Sequence, residues 1–149
     1  MRRMAVCCVA MVVLSGCYSY RFRNACRQWA RGVDPSEQLS LARSGGDARD
    51  KREAMIRLTR MSLKMKGEER EKFCRLVRAE LLNNADPESQ PEPVVRVTAA
   101  AELRVVGAGE DAGALAGYLT GGGGTSRKPE GEPAVRRELV KTLGVLGSA

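Results

Sequence analysis

The 149-residue sequence predicts an all-α protein, and three observations support this fold class. Apolar residues recur at helical spacing in two stretches that begin with Glu-Pro and end in Gly, at 92–107 and 132–147. The two stretches lie forty residues apart, a period typical of helical repeats. Aromatic residues make up only 4% of the chain, which favours helices packed through Leu, Val and Ala over a β-sandwich.

Each stretch has the local features of a complete helix. Pro93 and Pro133 suit the first turn, because a proline lacks the N–H that would have no partner there. Gly107 and Gly147 are expected to end the helices in the left-handed conformation. Four apolar residues of each stretch share one face: Val95, Ala99, Leu103 and Val106 in the first, and Val135, Leu139, Leu143 and Leu146 in the second.

The repeated pattern is Pro-x-Val-Arg, then small or apolar residues, Leu and Gly, and it resembles the short bacterial HEAT repeat also found in phycobilin-lyase-like proteins. The resemblance implies a short α-solenoid of HEAT-like helical hairpins, with a second helix near residues 114–119. A fainter upstream copy has Lys51, Ala54, Leu58 and Met61 in the places of Arg96, Ala99, Leu103 and Val106. Within residues 47–147 we expect units at about 47–84, 92–119 and 132–147, the last incomplete, with a Gly-rich linker loop at 120–131.

Taken in order, the chain begins with a predicted export signal. A positive start, Met1-Arg2-Arg3, precedes an apolar run too short to span a bilayer as a helix. The run ends in Leu14-Ser15-Gly16-Cys17, which resembles the lipobox of bacterial lipoproteins. The resemblance implies that residues 1–16 are a signal peptide and that the sulfur of Cys17 carries a diacylglyceryl group. We therefore expect an exported protein, lipid-anchored to the bacterial cell membrane or outer membrane.

Residues 17–46 form the predicted membrane-proximal segment. Tyr18, Phe22, Cys26 and Trp29 share one helical face, and an arginine row lies elsewhere on the same helix. Two interpretations stay open: an amphipathic helix at the membrane interface, or an aromatic face that caps the first repeat. A short helix is then expected to start at Asp34-Pro35 and to stop at Gly45-Gly46.

Two longer helices are expected before the first Glu-Pro stretch. Asp47 can cap a helix that runs to Gly67, and Glu68-Glu69 opens another that ends at Asn83-Asn84. The acidic pair Glu110-Asp111 is interpreted in the same way as Glu68-Glu69, as carboxylates that interact favourably with a helix dipole.

The composition excludes several kinds of chemistry. Without histidine there is no Ser-His-Asp or Cys-His catalysis and no imidazole metal site, and the five cysteines form no Cys-x-x-Cys pair. We therefore expect no enzyme activity, catalytic residue, metal or cofactor. The net charge of +7 is a mild excess without a basic, aromatic stripe, so no nucleic-acid partner is expected. Whether Cys26 and Cys74 form a disulfide stays open.

The favoured function is that of an envelope-anchored HEAT-repeat lipoprotein that binds a protein or serves as a scaffold. The alternatives are a HEAT-containing lyase-type enzyme and a purely structural membrane-associated protein. Arg96 and Arg136, at equivalent positions, either recognise an acidic partner or form ion pairs between neighbouring units. Leu139 and Leu143 lie on a final helix that no second helix covers, so self-association through that helix is also expected. The candidate partner-binding residues are thus Arg96, Arg136, Leu139 and Leu143.

Overall fold

The structure, a computed structural model, describes residues 33–90, 92–121 and 128–147. The signal peptide, Cys17 and the aromatic segment up to residue 32 lie outside the described residues. Within the described ranges the chain is helical and contains no strand, which confirms the all-α prediction. A short 3-10 turn, Gly109–Asp111, accompanies the helices α1 (Pro35–Ser44), α2 (Ala48–Lys64), α3 (Gly67–Ala85), α4 (Pro93–Val106), α5 (Ala112–Thr120) and α6 (Pro133–Leu146).

The helix starts follow from local sequence chemistry. Asp47 caps α2, because its Oδ1 atom accepts a hydrogen bond of 2.8 Å from the backbone N–H of Asp50. Pro93 and Pro133 occupy the first turns of α4 and α6, as predicted. Helix α3 begins at Gly67, whose φ of 63° is left-handed and therefore suits glycine.

The expected left-handed helix endings at Gly107 and Gly147 are wrong. Gly107 has φ of −65° and Gly147 has φ of −79°, both in ordinary regions. At Gly107 the reason for glycine is space, since an added Cβ would overlap the Leu103 carbonyl oxygen and lie 3.1 Å from a methyl group of Leu146. The left-handed ending occurs instead at Gly121, with φ of 72°, after α5.

The helices contact one another in two series within the compact unit Pro35–Ala149. Helices α2, α4 and α6 contact in chain order, and so do α1, α3 and α5. The second series also packs against the first: α1 contacts α2, α3 contacts both α2 and α4, and α5 contacts α6. Helix α4 therefore lies between two neighbours of its own series and is covered by α3.

The apolar faces predicted for the two Glu-Pro helices point into the core. In α4 the face is buried from Val95 to Leu103, and in α6 Val135, Leu139 and Leu146 are buried. Leu143 is only half-buried, although it is equivalent to Leu103. The fainter upstream copy follows the same rule, because Ala54 and Leu58 of α2 are buried.

Candidate partner-binding surface

Arg96 uses three of its side-chain nitrogen atoms in hydrogen bonds to other parts of the chain. Its Nε atom donates to Glu130 Oε2 at 2.8 Å, and its Nη2 atom donates to Glu130 Oε1 at 3.0 Å. The side chain of Arg96 is 8% exposed and that of Glu130 is 2% exposed. The two charges thus form a buried, two-point ion pair that joins α4 to the segment leading into α6.

The same local arrangement stands at the start of both Glu-Pro helices. The residue two positions before the Glu uses its side chain to accept from the backbone N–H of that Glu. Its carbonyl oxygen accepts from Nη1 of the arginine in the following helix. The distances are 3.4 Å from Glu92 N to Gln90 Oε1, 2.8 Å from Glu132 N to Glu130 Oε1, 2.7 Å from Arg96 Nη1 to Gln90 O, and 3.0 Å from Arg136 Nη1 to Glu130 O.

Arg136 differs from Arg96 chiefly because no described residue supplies a carboxylate to it. Its Nη1 atom also lies 3.4 Å from the carbonyl oxygen of Leu119, while the side chain as a whole is exposed. Within the described ranges, the Nε and Nη2 atoms of Arg136 make no hydrogen bond, although the same two atoms of Arg96 hold Glu130. The repeated motif is therefore filled in α4 and open in α6.

Helix α6 and its lead-in segment cover one stripe of α4. Arg96 forms its ion pair with Glu130 of the lead-in segment. The Ala100 carbonyl oxygen accepts a hydrogen bond from Thr142 Oγ1 at 2.7 Å, and Leu103 is fully buried. One turn further on, Arg104 Nη1 donates to Glu138 Oε1 at 2.6 Å. The three contacting residues and the buried Leu103 between them follow helical spacing and define what we call the α4 stripe: Arg96, Ala100, Leu103 and Arg104.

The α6 stripe consists of the residues forty positions later: Arg136, Val140, Leu143 and Gly144. Arg136 and Gly144 are exposed, Val140 is 55% exposed, and Leu143 is half-buried. The described residues thus leave open on α6 the face that α6 itself covers on α4.

Two of the four candidate partner-binding residues belong to the interior. Arg96 is buried in its ion pair with Glu130, and Leu139 is fully buried in the core. Neither offers a surface to a partner, so the expectation of partner contact is corrected for both. Arg136 and Leu143 remain at the surface, and Val140 joins them.

Sequence reasoning missed Gln90 and Glu130, which complete the motif. Extending the repeat two residues upstream would have aligned Gln90-x-Glu92-Pro93 with Glu130-x-Glu132-Pro133. Gln and Glu share a shape and both offer a side-chain oxygen to the backbone N–H. Only the Glu also supplies the charge that neutralises a buried arginine.

The acidic pair after α4 has a specific structural role in addition to any dipole effect. The Asp111 Oδ2 atom accepts from the backbone N–H of Ala108 at 2.7 Å. Arg78 of α3 approaches both acids, with its Nη1 atom 2.9 Å from Glu110 Oε1 and 3.5 Å from Asp111 Oδ2. The pair therefore fixes the turn before α5 and ties it to α3.

Other kinds of site were sought among the described residues. Cys74 of α3 is a half-buried free thiol, and Cys26 lies outside the described residues. The described ranges contain no group of three or more acidic or cysteine side chains placed to hold a metal ion. Among the described helices, none combines the length and the apolar character needed to cross a bilayer.

Comparison with known proteins adds no relative: no family model, no curated protein and no solved structure matches this chain.

Proposed function

We propose that this protein is a lipid-anchored envelope scaffold whose HEAT-like helical repeats bind a protein partner. The observation that carries the proposal is the repeated arginine motif, filled by Glu130 at Arg96 and open at Arg136. A surface that repeats the chemistry of an internal docking contact is suited to an external one.

The two series of helix contacts support a solenoid. In a helical repeat array each unit packs mainly on the units before and after it, and partners dock on the surface made by successive helices. The order α2, α4, α6 in one series and α1, α3, α5 in the other agrees with such an array. Helix α1 precedes the first unit and occupies the position that a second helix of an earlier unit would have. The internal ion pair then serves as a unit-to-unit contact.

Partner binding is tested by photo-crosslinking in envelope preparations. A photo-reactive residue in place of Val140, on the α6 stripe, is expected to give discrete protein adducts. The matched control replaces Val145, which is 48% exposed on the opposite side of the same helix. Adducts shared equally by both positions, or adducts with lipid alone, would contradict a protein-binding scaffold. An adduct with the mass of two copies of this chain would identify self-association through α6.

Lipid anchoring at Cys17 remains a proposal that rests on Leu14-Ser15-Gly16-Cys17 after a charged, apolar start. Cys17→Ala is expected to abolish the lipid mass and to leave a protein that no lipid anchor holds, because the cysteine sulfur is the atom that accepts the lipid. Intact mass spectrometry of the wild-type protein checks the proposal. A mature chain that begins at a residue other than Cys17, or that lacks the lipid mass, would rule it out.

A further inference from the structure

We propose that the α6 stripe binds an acidic helix start of a partner protein: a carboxylate that lies shortly before a helix with an apolar face. This inference rests on the proposed function and deepens it, because it names the chemistry of the partner. It is motivated by the way the same chain fills the equivalent surface on α4.

The carboxylate is inferred from the side of Arg136 that no described residue fills. Its Nη1 atom is engaged with two backbone carbonyl oxygens, those of Glu130 and Leu119, which fixes the orientation of the guanidinium group. The two remaining donors, Nε and Nη2, form the fork-shaped edge of the guanidinium group. On Arg96 the same edge donates hydrogen bonds to both carboxylate oxygens of Glu130. A planar fork of this kind matches a carboxylate in two-point contact.

The rest of the α6 stripe specifies the helix that follows the carboxylate. Val140 stands where α4 has Ala100, and Gly144 stands where α4 has Arg104. On α4, Arg104 forms an ion pair with a second acid, Glu138. Gly144 has no charge for such a pair, and the space around it is open. The partner helix therefore needs one acidic residue ahead of it and an apolar face opposite Val140 and Leu143, whereas a second acid such as Glu138 has no cation to meet opposite Gly144.

A second copy of this chain is a poorer match than a different protein. For a second copy to dock as α6 docks on α4, its first unit would present the α1–α2 connection. In the register of the upstream copy, Gly45 stands where Gln90 and Glu130 stand in the later units. Glycine has no side chain to place against Arg136, so the carboxylate must come from elsewhere.

The test measures binding of a labelled peptide to the full chain in mild detergent by fluorescence anisotropy. The peptide carries residues 128–147 of this protein, which is the segment that fills the α4 stripe. A side-chain staple between its solvent-facing positions 137 and 141 keeps it helical. We expect saturable binding that weakens about tenfold with Arg136→Ala in the protein, or with Glu130→Gln in the peptide, since hydrogen bonds to charged groups are among the strong ones. The two changes together are expected to weaken binding no further than either alone.

Several results would overturn the inference. Absence of binding would do so, and so would binding that Arg136→Ala leaves unchanged, because the peptide would then be displacing the chain's own α6 from α4. Arg136-dependent self-association of the full chain would also do so, since a second copy would then be the occupant. Far-UV circular dichroism of the Arg136→Ala protein checks that its helices are intact. Crosslinking from position 140 is a separate experiment. If it gives protein adducts while the peptide test fails, the proposed function stands and the inference of an acidic partner is wrong.

Discussion

Arg96→Ala is expected to lower the free energy of unfolding by about 3–5 kcal/mol, the range for breaking one side of a buried ion pair. The substitution leaves the Glu130 carboxylate, 2% exposed, without the cation that balances it. It also removes the donor to the carbonyl oxygen of Gln90, which is itself buried. The expected loss is large because an uncompensated charge has to be kept out of water.

Arg136→Ala is the matched control, since it removes the same residue from the same place in the repeat. Among the described residues its exposed guanidinium group donates to backbone oxygens alone, so the expected loss is about 1 kcal/mol or less. Urea denaturation followed by circular dichroism measures both variants. The double change of Arg96 and Glu130 to Ala is expected to cost less than the sum of the two single changes. Equal losses for Arg96→Ala and Arg136→Ala would contradict the role of Arg96 as a buried contact between units.

The fold class and the helix limits were predictable because local residues determine them. Proline at the first turn, an aspartate that caps a backbone N–H, and glycines between apolar runs act within a few residues of themselves. Asp47 and Pro93 behave as their sequence context predicts. The left-handed ending was wrong at Gly107 because glycine is needed there for space, chiefly against the Leu103 carbonyl oxygen and also against Leu146, which is distant in sequence.

The candidate surface was less predictable because it depends on which elements meet. Val140 is a further apolar residue of α6 beside the four that share its predicted face, and periodicity alone does not say which edge of this wider face a neighbour covers. In the structure the core covers Leu139 and leaves Val140 exposed. The role of Glu130 was missed for a related reason, because a charged residue in a Gly-rich, polar stretch predicts an exposed linker. Its burial is explained by the long-range ion pair with Arg96.

The repeat itself supplies the comparison that neither helix gives alone. An exposed arginine such as Arg136 is ordinary on a protein surface and carries no functional meaning by itself. Its equivalence to Arg96, through the shared contact to the residue two before Glu-Pro, shows that an arginine at this repeat position can also hold a carboxylate, as Arg96 holds Glu130. The same comparison explains why Leu103 and Leu143, at one repeat position, differ in burial.

Leu103→Ala is expected to destabilise the protein by about 2–5 kcal/mol, as for other fully buried leucines. Leu103 lies on α4, which contacts α2, α3 and α6. Close packing in such a core restricts collapse around the missing methyl groups, so the substitution is expected to leave a cavity in addition to the lost burial. The same position in α2 is Leu58, which is also fully buried.

Leu143→Ala is the matched control for Leu103→Ala, because it makes the same change at the same repeat position where the side chain is half-buried. The expected loss is about 1 kcal/mol, since part of that side chain is already in contact with water and the site opens to solvent. Thermal and urea denaturation of both variants measure the difference. If the two substitutions lower the free energy of unfolding equally, α6 lacks the open stripe on which partner binding depends. If a partner that binds the α6 stripe is added at saturation, the stability of the Leu143→Ala variant should rise less than that of the unchanged chain, because the variant has lost part of the contact.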